Sequence, residues 1–321
     1  MTKKVLILGG AGFVGTPICN RLTEHGHAIR VPTQKRERNK HLLVFPQLEL
    51  IQADVHDPET LNRLCAGCDV AINLVGILNE QGAMSFERAH VDLARKLVAA
   101  CKQSGIKRLL HMSALNADAV KGASDYLKTK GRAEDLVHAA ADENFHVTSF
   151  RPSVIFGPED GFFNRFAALL KLVPVVFPLA CPDARFAPVY VGDVAEAIVR
   201  CLDDTKTYGQ HYDLCGPDAG TLETWVRYTA ELLGLKRRIL RLGPGFSRYQ
   251  ALVLERLPGR AFTMDNYRSL QVDSVCSGNN GLTALGIIPA SVDAIVPAYL
   301  ATKSMRGSYD RWRSHARRDE D

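Results

Sequence analysis

This chain of 321 residues lacks a long hydrophobic run. Its longest apolar tract, 166–180, is broken by Lys171, Pro174 and Pro178. A bilayer-spanning helix needs about 20 consecutive apolar residues, so no transmembrane segment is expected. No block of Lys and Arg is interleaved with stacking aromatics, and a net charge of +5 is too slight to argue for a nucleic-acid partner. The one CxxC, Cys65-Ala66-Gly67-Cys68, has neither a second such pair nor neighbouring histidines, which argues against zinc. It closes a predicted helix instead of opening one, which argues against thiol exchange of the thioredoxin kind. The eight cysteines are therefore read as small buried hydrophobes, all reduced, in a cytoplasmic protein. In the region after Pro158, which would build a substrate pocket, no paired carboxylates, metal cluster or nucleophile triad stand in the pattern, and no metal site is expected. Repeats and low-complexity segments are missing as well. The first β-pattern starts at Val5, so no secretory or mitochondrial-type leader is expected.

What is present is a regular alternation. Apolar residues make up 46% and charged residues 23%, ordinary proportions for a globular protein. Short apolar runs at 5–8, 28–31, 48–52, 70–74, 109–113 and 146–151 read as strands, with helices at 12–25, 58–66, 84–104 and 123–143 between them. Asp57 followed by Pro58 marks one helix start, as N-cap and first helical residue. Strands alternating with helices imply right-handed βαβ units and a parallel sheet covered on both faces, and unalternating apolar strands agree. The expected architecture is α/β, a Rossmann-type doubly wound sheet with a smaller, mostly helical C-terminal part. Residues 1–158 form the Rossmann domain, with 186–215 returning to it. Residues 159–185 and 216–305 form the smaller domain, and 306–321 a charged tail. In the smaller domain a helix at 246–256 is expected to pack into the core; its apolar residues, with Arg248 and Arg256, would also suit a peripheral surface or a partner.

The N-terminal strand runs into Gly9-x-x-Gly12-x-x-Gly15. Gly9 lets the chain leave the strand where a Cβ would obstruct it. Gly12 admits a pyrophosphate to the backbone, and Gly15 lets the new helix sit close to the strand. The free N–H groups of that helix start, including those around Phe13 and Val14, favour an anion. A strand before the glycines and a helix after them are the context that turns a loose motif into a dinucleotide-binding signal.

Tyr126-x-x-x-Lys130 places a phenol and an ammonium on one helix face. A lysine beside a phenol favours the phenolate, so the tyrosine can act as acid or base at a carbinol or carbonyl. Together with Asp54-Val55, Asn73-Leu74-Val75-Gly76, the run 151–158 (RPSVIFGP) and the run 189–195 (VYVGDVA), these features resemble an atypical or extended short-chain dehydrogenase/reductase of the NAD-dependent epimerase/dehydratase type. The run 257–266 (LPGRAFTMDN), with 285–289 (LGIIP) and 297–300 (PAYL), is similar to bacterial relatives of the short-chain-dehydrogenase-like accessory subunit of respiratory complex I.

The resemblance implies that Gly9, Gly12 and Gly15 hold the pyrophosphate. Asp54 and Val55 meet the adenine, and Asn73, Leu74, Val75 and Gly76 line the adenosine side. Lys130 holds the nicotinamide ribose, and Tyr126 faces the nicotinamide. A superfamily hydroxyl is expected just past the fifth strand, but that position is Ala114, with Ser113 one residue early and therefore on the opposite strand face. Ser113, Tyr126 and Lys130 make up the catalytic set that the resemblance allows. His90 stands where such enzymes often carry Asn. Near the end of the second strand, Gln34, Lys35 and Arg36 replace the acid that would hold a ribose 2′-OH, which favours NADP(H) over NAD(H). The implied role is an NAD(P)H-binding accessory or assembly-type protein with weak or no turnover. It would be linked to a membrane-associated respiratory complex or quinone metabolism, and be cytoplasmic or peripheral at the inner membrane. The alternative is an active NADP(H)-dependent oxidoreductase or epimerase on a quinone- or lipid-related substrate.

Overall fold

Seven short, mainly apolar strands form one parallel sheet. They are β1 (Lys4–Leu8), β2 (Ala28–Thr33), β3 (Leu48–Gln52), β4 (Val70–Asn73), β5 (Arg108–Met112), β6 (His146–Pro152) and β7 (His211–Leu214). Their order across the sheet is β7-β6-β5-β4-β1-β2-β3, and every neighbouring pair is parallel. The chain therefore winds outward from β1 in one direction, then returns past β1 to β4 and winds in the other. The crevice where the winding reverses lies at the carboxyl ends of β1 and β4, the place where doubly wound sheets hold ligands. The computed structural model describes residues 2–257 and 262–301, so the expected tail at 306–321 and the residues Pro258 to Ala261 of the 257–266 run lie outside the described residues.

The chain divides into two units. The first comprises residues 2–153, 191–215 and 276–288. Its helices α1 (Gly15–Glu24), α2 (Pro58–Cys65), α3 (Leu93–Gln103), α4 (Asp125–Ala139) and α5 (Val191–Arg200) cover the sheet. Leu6, Leu8, Ala71 and Leu109 from the strands bury against Leu61, Leu64, Leu97 and Cys101 from α2 and α3. Asp57 caps α2 by accepting the Thr60 N–H, with Pro58 in the first turn. On α1, Arg21 reaches α5 through Glu196 (2.5 Å) and the Gly192 carbonyl (3.3 Å).

The structure changes three expectations in this unit. The strand that returns to the sheet is β7, whereas Arg185–Phe186 and Val189–Tyr190 form two-residue ladders in the second unit. His-Tyr-Asp-Leu is an edge strand with one buried residue, so it carries none of the apolar signal of the inner strands. The segment 276–288 also belongs to the first unit. Cys276 is disulfide-bonded to Cys215, 61 residues earlier, and the Asn280 amide donates to the Cys215 carbonyl (2.6 Å). The eight cysteines are thus six thiols and one bridge. No sequence spacing pairs two cysteines that only the fold brings together.

The second unit comprises residues 154–190, 216–275 and 289–301, leaving aside 258–261. Phe156, Phe163, Leu170, Trp225, Val226 and Val296 form its core, drawn from helices Phe163–Leu172, Leu222–Leu232 and Val292–Leu300. Tyr299 donates to buried Asp160 across this core (2.6 Å). A parallel pair, Val176–Leu179 with Arg238–Arg241, leads into helix Pro244–Leu254. That helix does not pack as expected. It buries only Ser247 and Ala251, while Phe246 is 72% and Tyr249 66% exposed.

Candidate dinucleotide site

β1 ends at Leu8, and Gly9 turns the chain with φ of +80°, a conformation open to glycine. A Cβ on Gly9 would stand 3.3 Å from the Leu74 backbone carbon, and one on Gly15 would stand 2.4 Å from the Gly9 carbonyl oxygen. Gly15 is thus the point where α1 crosses the strand too closely for any side chain. Gly12 donates to the Gly9 carbonyl (3.0 Å) and is exposed. Gly10, which sequence reasoning passed over, also requires glycine: its Cβ would fall 2.8 Å from Val31 Cγ2. Among the described residues no side chain caps α1, whose cap position is Val14, and its first turn carries no acid. The N–H groups at Phe13, Val14 and Gly15 are left to whatever sits before the helix. A cradle that a Cβ would fill, facing an uncapped helix start, fits a pyrophosphate.

At the far end of the crevice β2 closes with Thr33, whose hydroxyl accepts from the Asn39 amide (2.8 Å) and the Lys35 N–H (3.4 Å). β2 itself ends without an acid, since Gln34, Lys35 and Arg36 follow Thr33. Lys35 and Arg36 follow on the surface and, among the described residues, neither pairs with a carboxylate. Gln34, Gln52, Ala53 and Asp54 line a cavity of about 410 Å³. One Asp54 oxygen accepts the His56 N–H (2.9 Å) and holds the turn after β3. Val55 packs on the core beside it. In β4, buried Asn73 accepts the Val75 N–H (3.2 Å) and meets His111 Nδ1 (3.3 Å), and the Leu74 N–H donates to Leu8 (3.0 Å). These bonds hold Leu74, Val75 and Gly76 against the glycine turn.

Tyr126 and Lys130 lie on α4, capped by Ser124 through the Leu127 N–H. Lys130 is 3% exposed. Its Nζ donates to the Met112 carbonyl at the end of β5 (2.9 Å) and lies 3.0 Å from where a Gly76 Cβ would be. Burial pulls its pKa down to about 8, with Glu134 pulling the other way. Half-buried Tyr126 stands edge-on to Phe86 (6.0 Å) and His90 (5.6 Å). His90 sits in a π-helical turn, Glu87–Asp92, that runs into α3. Its Nε2 accepts the Ile77 N–H (3.2 Å), and its Nδ1 lies 2.9 Å from Thr129 Oγ1. Burial drives its pKa down to about 2. His90 is therefore a neutral imidazole that ties the loop after β4 to α4, and π-helical turns recur at sites where a side chain must be re-aimed.

Ser113 points elsewhere. Its hydroxyl donates to Glu134 Oε2 (2.7 Å). The same carboxylate takes Arg151 Nε (2.8 Å) and His211 Nδ1 (2.6 Å). Burial raises the Glu134 pKa, but the bonds from His211, Arg151 and Ser113 outweigh it and hold the group at about 2. Ala114 follows with no hydroxyl to offer. The sequence reading missed this cluster, although Lys130, Glu134 and His138 recur every fourth residue along α4. Ligand atoms of Glu134, His138 and His211 lie within 4.8 Å of one another. The Arg151 guanidinium already shares that carboxylate and repels a second cation, so the chemistry is that of an ion-pair cluster.

A parallel sheet of this strand order, with a glycine cradle at the crossover and a Tyr-x-x-x-Lys helix beside it, defines an NAD(P)-binding protein of the short-chain dehydrogenase fold. The model of the NAD dependent epimerase/dehydratase family matches residues 5–215, and the chain belongs to that family. It is 29% identical over 288 residues to NADH dehydrogenase (ubiquinone) 1 alpha subcomplex subunit 9, mitochondrial, of Arabidopsis thaliana, covering 85% of this chain and 71% of that protein. Identity to the mouse counterpart is 31% over 69% of this chain, which spans 59% of that protein's length. A ceramide reductase of Caulobacter vibrioides is 29% identical over 251 residues (78% of this chain, 77% of that one). Among solved structures, an NADPH complex of the Escherichia coli quinone oxidoreductase QOR2 superimposes with a TM-score of 0.73 at 17% identity, covering 92% of this chain and 99% of that one. That likeness shows the fold. Among the described residues no helix is long and apolar enough to cross a membrane.

Proposed function

We propose that the protein holds NADP(H) firmly and serves as an accessory or assembly-type component of a membrane-associated respiratory complex, at the cytoplasmic side of the inner membrane, with little or no turnover. One observation carries this reading. The glycine turn and a buried Lys130 support cofactor holding, while the hydroxyl expected next to the phenol is turned away: Ser113 donates to Glu134 and Ala114 follows it. When bound, the nicotinamide would supply hydride chemistry. The residues that would hold the cofactor are those around it: Gly9, Gly12 and Gly15 with the Phe13 and Val14 amides at the pyrophosphate, Gln34, Lys35 and Arg36 at the 2′-phosphate, and Asp54 and Val55 at the adenine. Asn73 to Gly76 would line the adenosine side, and Lys130 and Tyr126 the nicotinamide side. The likeness to the complex I subunits supports the partner.

Titration with both reduced cofactors tests the first half. NADPH is expected to bind at least tenfold more tightly than NADH, and equal binding would refute the preference. The second reading, an active reductase, is favoured by Tyr126 standing one turn before Lys130 and by the ceramide reductase relative. Bound NADPH fluorescence separates the two. If it persists when quinones are added, the accessory reading holds. If it is consumed, and Tyr126→Phe abolishes the consumption, the protein is an enzyme.

A further inference from the structure

Eight of the thirteen large apolar side chains that stand exposed among the described residues fall in two segments of the second unit, 172–176 and 240–257. The segments are neighbours. Strand Val176–Leu179 pairs with Arg238–Arg241, and the Gln250 amide of helix Pro244–Leu254 donates to the Pro178 carbonyl (3.2 Å). On the pair, Val176, Pro178 and Leu240 face outward. On the helix, Phe246, Tyr249 and Val253 recur at steps of three and four, so they form one stripe, and exposed Leu257 follows just past the helix end. Small Ser247 and Ala251 fill the opposite, buried side. The helix is amphipathic with its large apolar residues turned to solvent, the reverse of a core helix.

Charge says what covers this face. Residues 235–257 carry six cations and a single acid, Glu255; Arg241 is paired with Asp183 and Glu223, which leaves Lys236, Arg237, Arg238, Arg248 and Arg256 without a carboxylate among the described residues. Arg238 stands in register with Val176, and Arg248 is exposed on the flank of the stripe. A second copy of the chain would bring like charges together. Apolar side chains that can enter the acyl boundary, ringed by cations at headgroup level, match an anionic lipid surface. We propose that this face of the second unit docks on anionic lipid. The proposal rests on this surface alone and is independent of what the first unit does with its nucleotide.

Co-sedimentation of the full chain with vesicles tests it, using phosphatidylcholine alone and phosphatidylcholine with one third phosphatidylglycerol. Binding is expected to the second and not the first, and is expected to weaken in high salt. Phe246→Ser and Leu257→Ser should each lower the partition coefficient about tenfold, and Arg248→Gln about fivefold with a shallower salt dependence. NADPH titration and circular dichroism of each variant check that both units remain folded. Failure to bind the anionic vesicles, or unchanged binding by folded variants, overturns the proposal. So does a dimer in light scattering that Phe246→Ser dissociates, because the face would then belong to a second copy.

Discussion

Lys130 shows how one residue carries both a cost and a role. Its ammonium is buried with one carbonyl partner, and burial brings its pKa from 10.5 to about 8. Between those values the unfolded chain holds a proton that the folded chain has released, so stability rises with pH across that window. The charged form costs roughly 3 kcal/mol at pH 7. Lys130→Met is therefore expected to be at least as stable as the parent at pH 7 in urea unfolding, and to lose that advantage by pH 10. The same variant should bind NADPH at least tenfold more weakly. A large loss of stability at pH 7 would show that the Met112 bond outweighs desolvation. Lys35 and Arg36 carry the opposite kind of role, being exposed and free of carboxylate partners among the described residues. Charge reversal there, Lys35→Glu or Arg36→Glu, is expected to leave the melting temperature within about 2 °C, because surface changes move stability by about 0.5 kcal/mol or less. It should weaken NADPH at least tenfold and NADH much less. Parallel titrations of the two cofactors check it, and equal losses for both would place these cations away from the 2′-phosphate.

Elements were legible where their signal was local. The glycine turn, the Asp57-Pro58 helix start and the i, i+4 spacing of Tyr126 and Lys130 are each set by a few adjacent residues, and the structure places them as the pattern implies. The cluster around α4 was not legible, because Glu134 meets Arg151 and His211 only after β6 and β7 are laid side by side. His90 read as a mere departure because the π-helical turn that aims it at Ile77 has no sequence signature. These buried groups have a joint consequence in acid. His90, His111 and His138 are kept neutral by burial to about pH 2, 3 and 4. Below 6.5 the unfolded chain takes up protons that the folded chain refuses, so stability falls with falling pH. By pH 5 His90 and His111 together cost about 4 kcal/mol, and half-buried, solvent-screened His138 adds less, a large share of a whole domain's stability of about 5–15 kcal/mol. Glu134 adds its own loss below 4.5, as its carboxylate is finally protonated toward pH 2. The first unit is expected to unfold cooperatively near pH 5, followed by near-ultraviolet circular dichroism. Glu134→Gln should destabilise it by about 3 kcal/mol in urea unfolding at pH 7, where the Arg151 guanidinium loses its counter-charge.

At the scale of the whole chain, the general fold followed from the rhythm of strands and helices, while the weaving of the C-terminal residues did not. Residues 276–288 leave the second unit and rejoin the first through a disulfide and the Asn280 amide. Composition argued for eight thiols in a reducing compartment, and the geometry argues for six and a bridge. The bridge closes a 61-residue separation that contains about half of the second unit, so in the chain-entropy view it removes up to about 4 kcal/mol of freedom from the unfolded state. Cys215 is buried, which shields the bond from reductants while the first unit stays folded. Thiol titration in denaturant is expected to count six groups in the purified chain and eight after reduction. Cys276→Ser should lower the urea midpoint of the first unit without moving NADPH affinity, because the glycine cradle lies on β1 and α1 and the bridge at the far edge beyond β7. A count of eight before reduction would mean that residues 276–288 are held by Asn280 and packing alone, and reductant would then leave the urea midpoint unchanged.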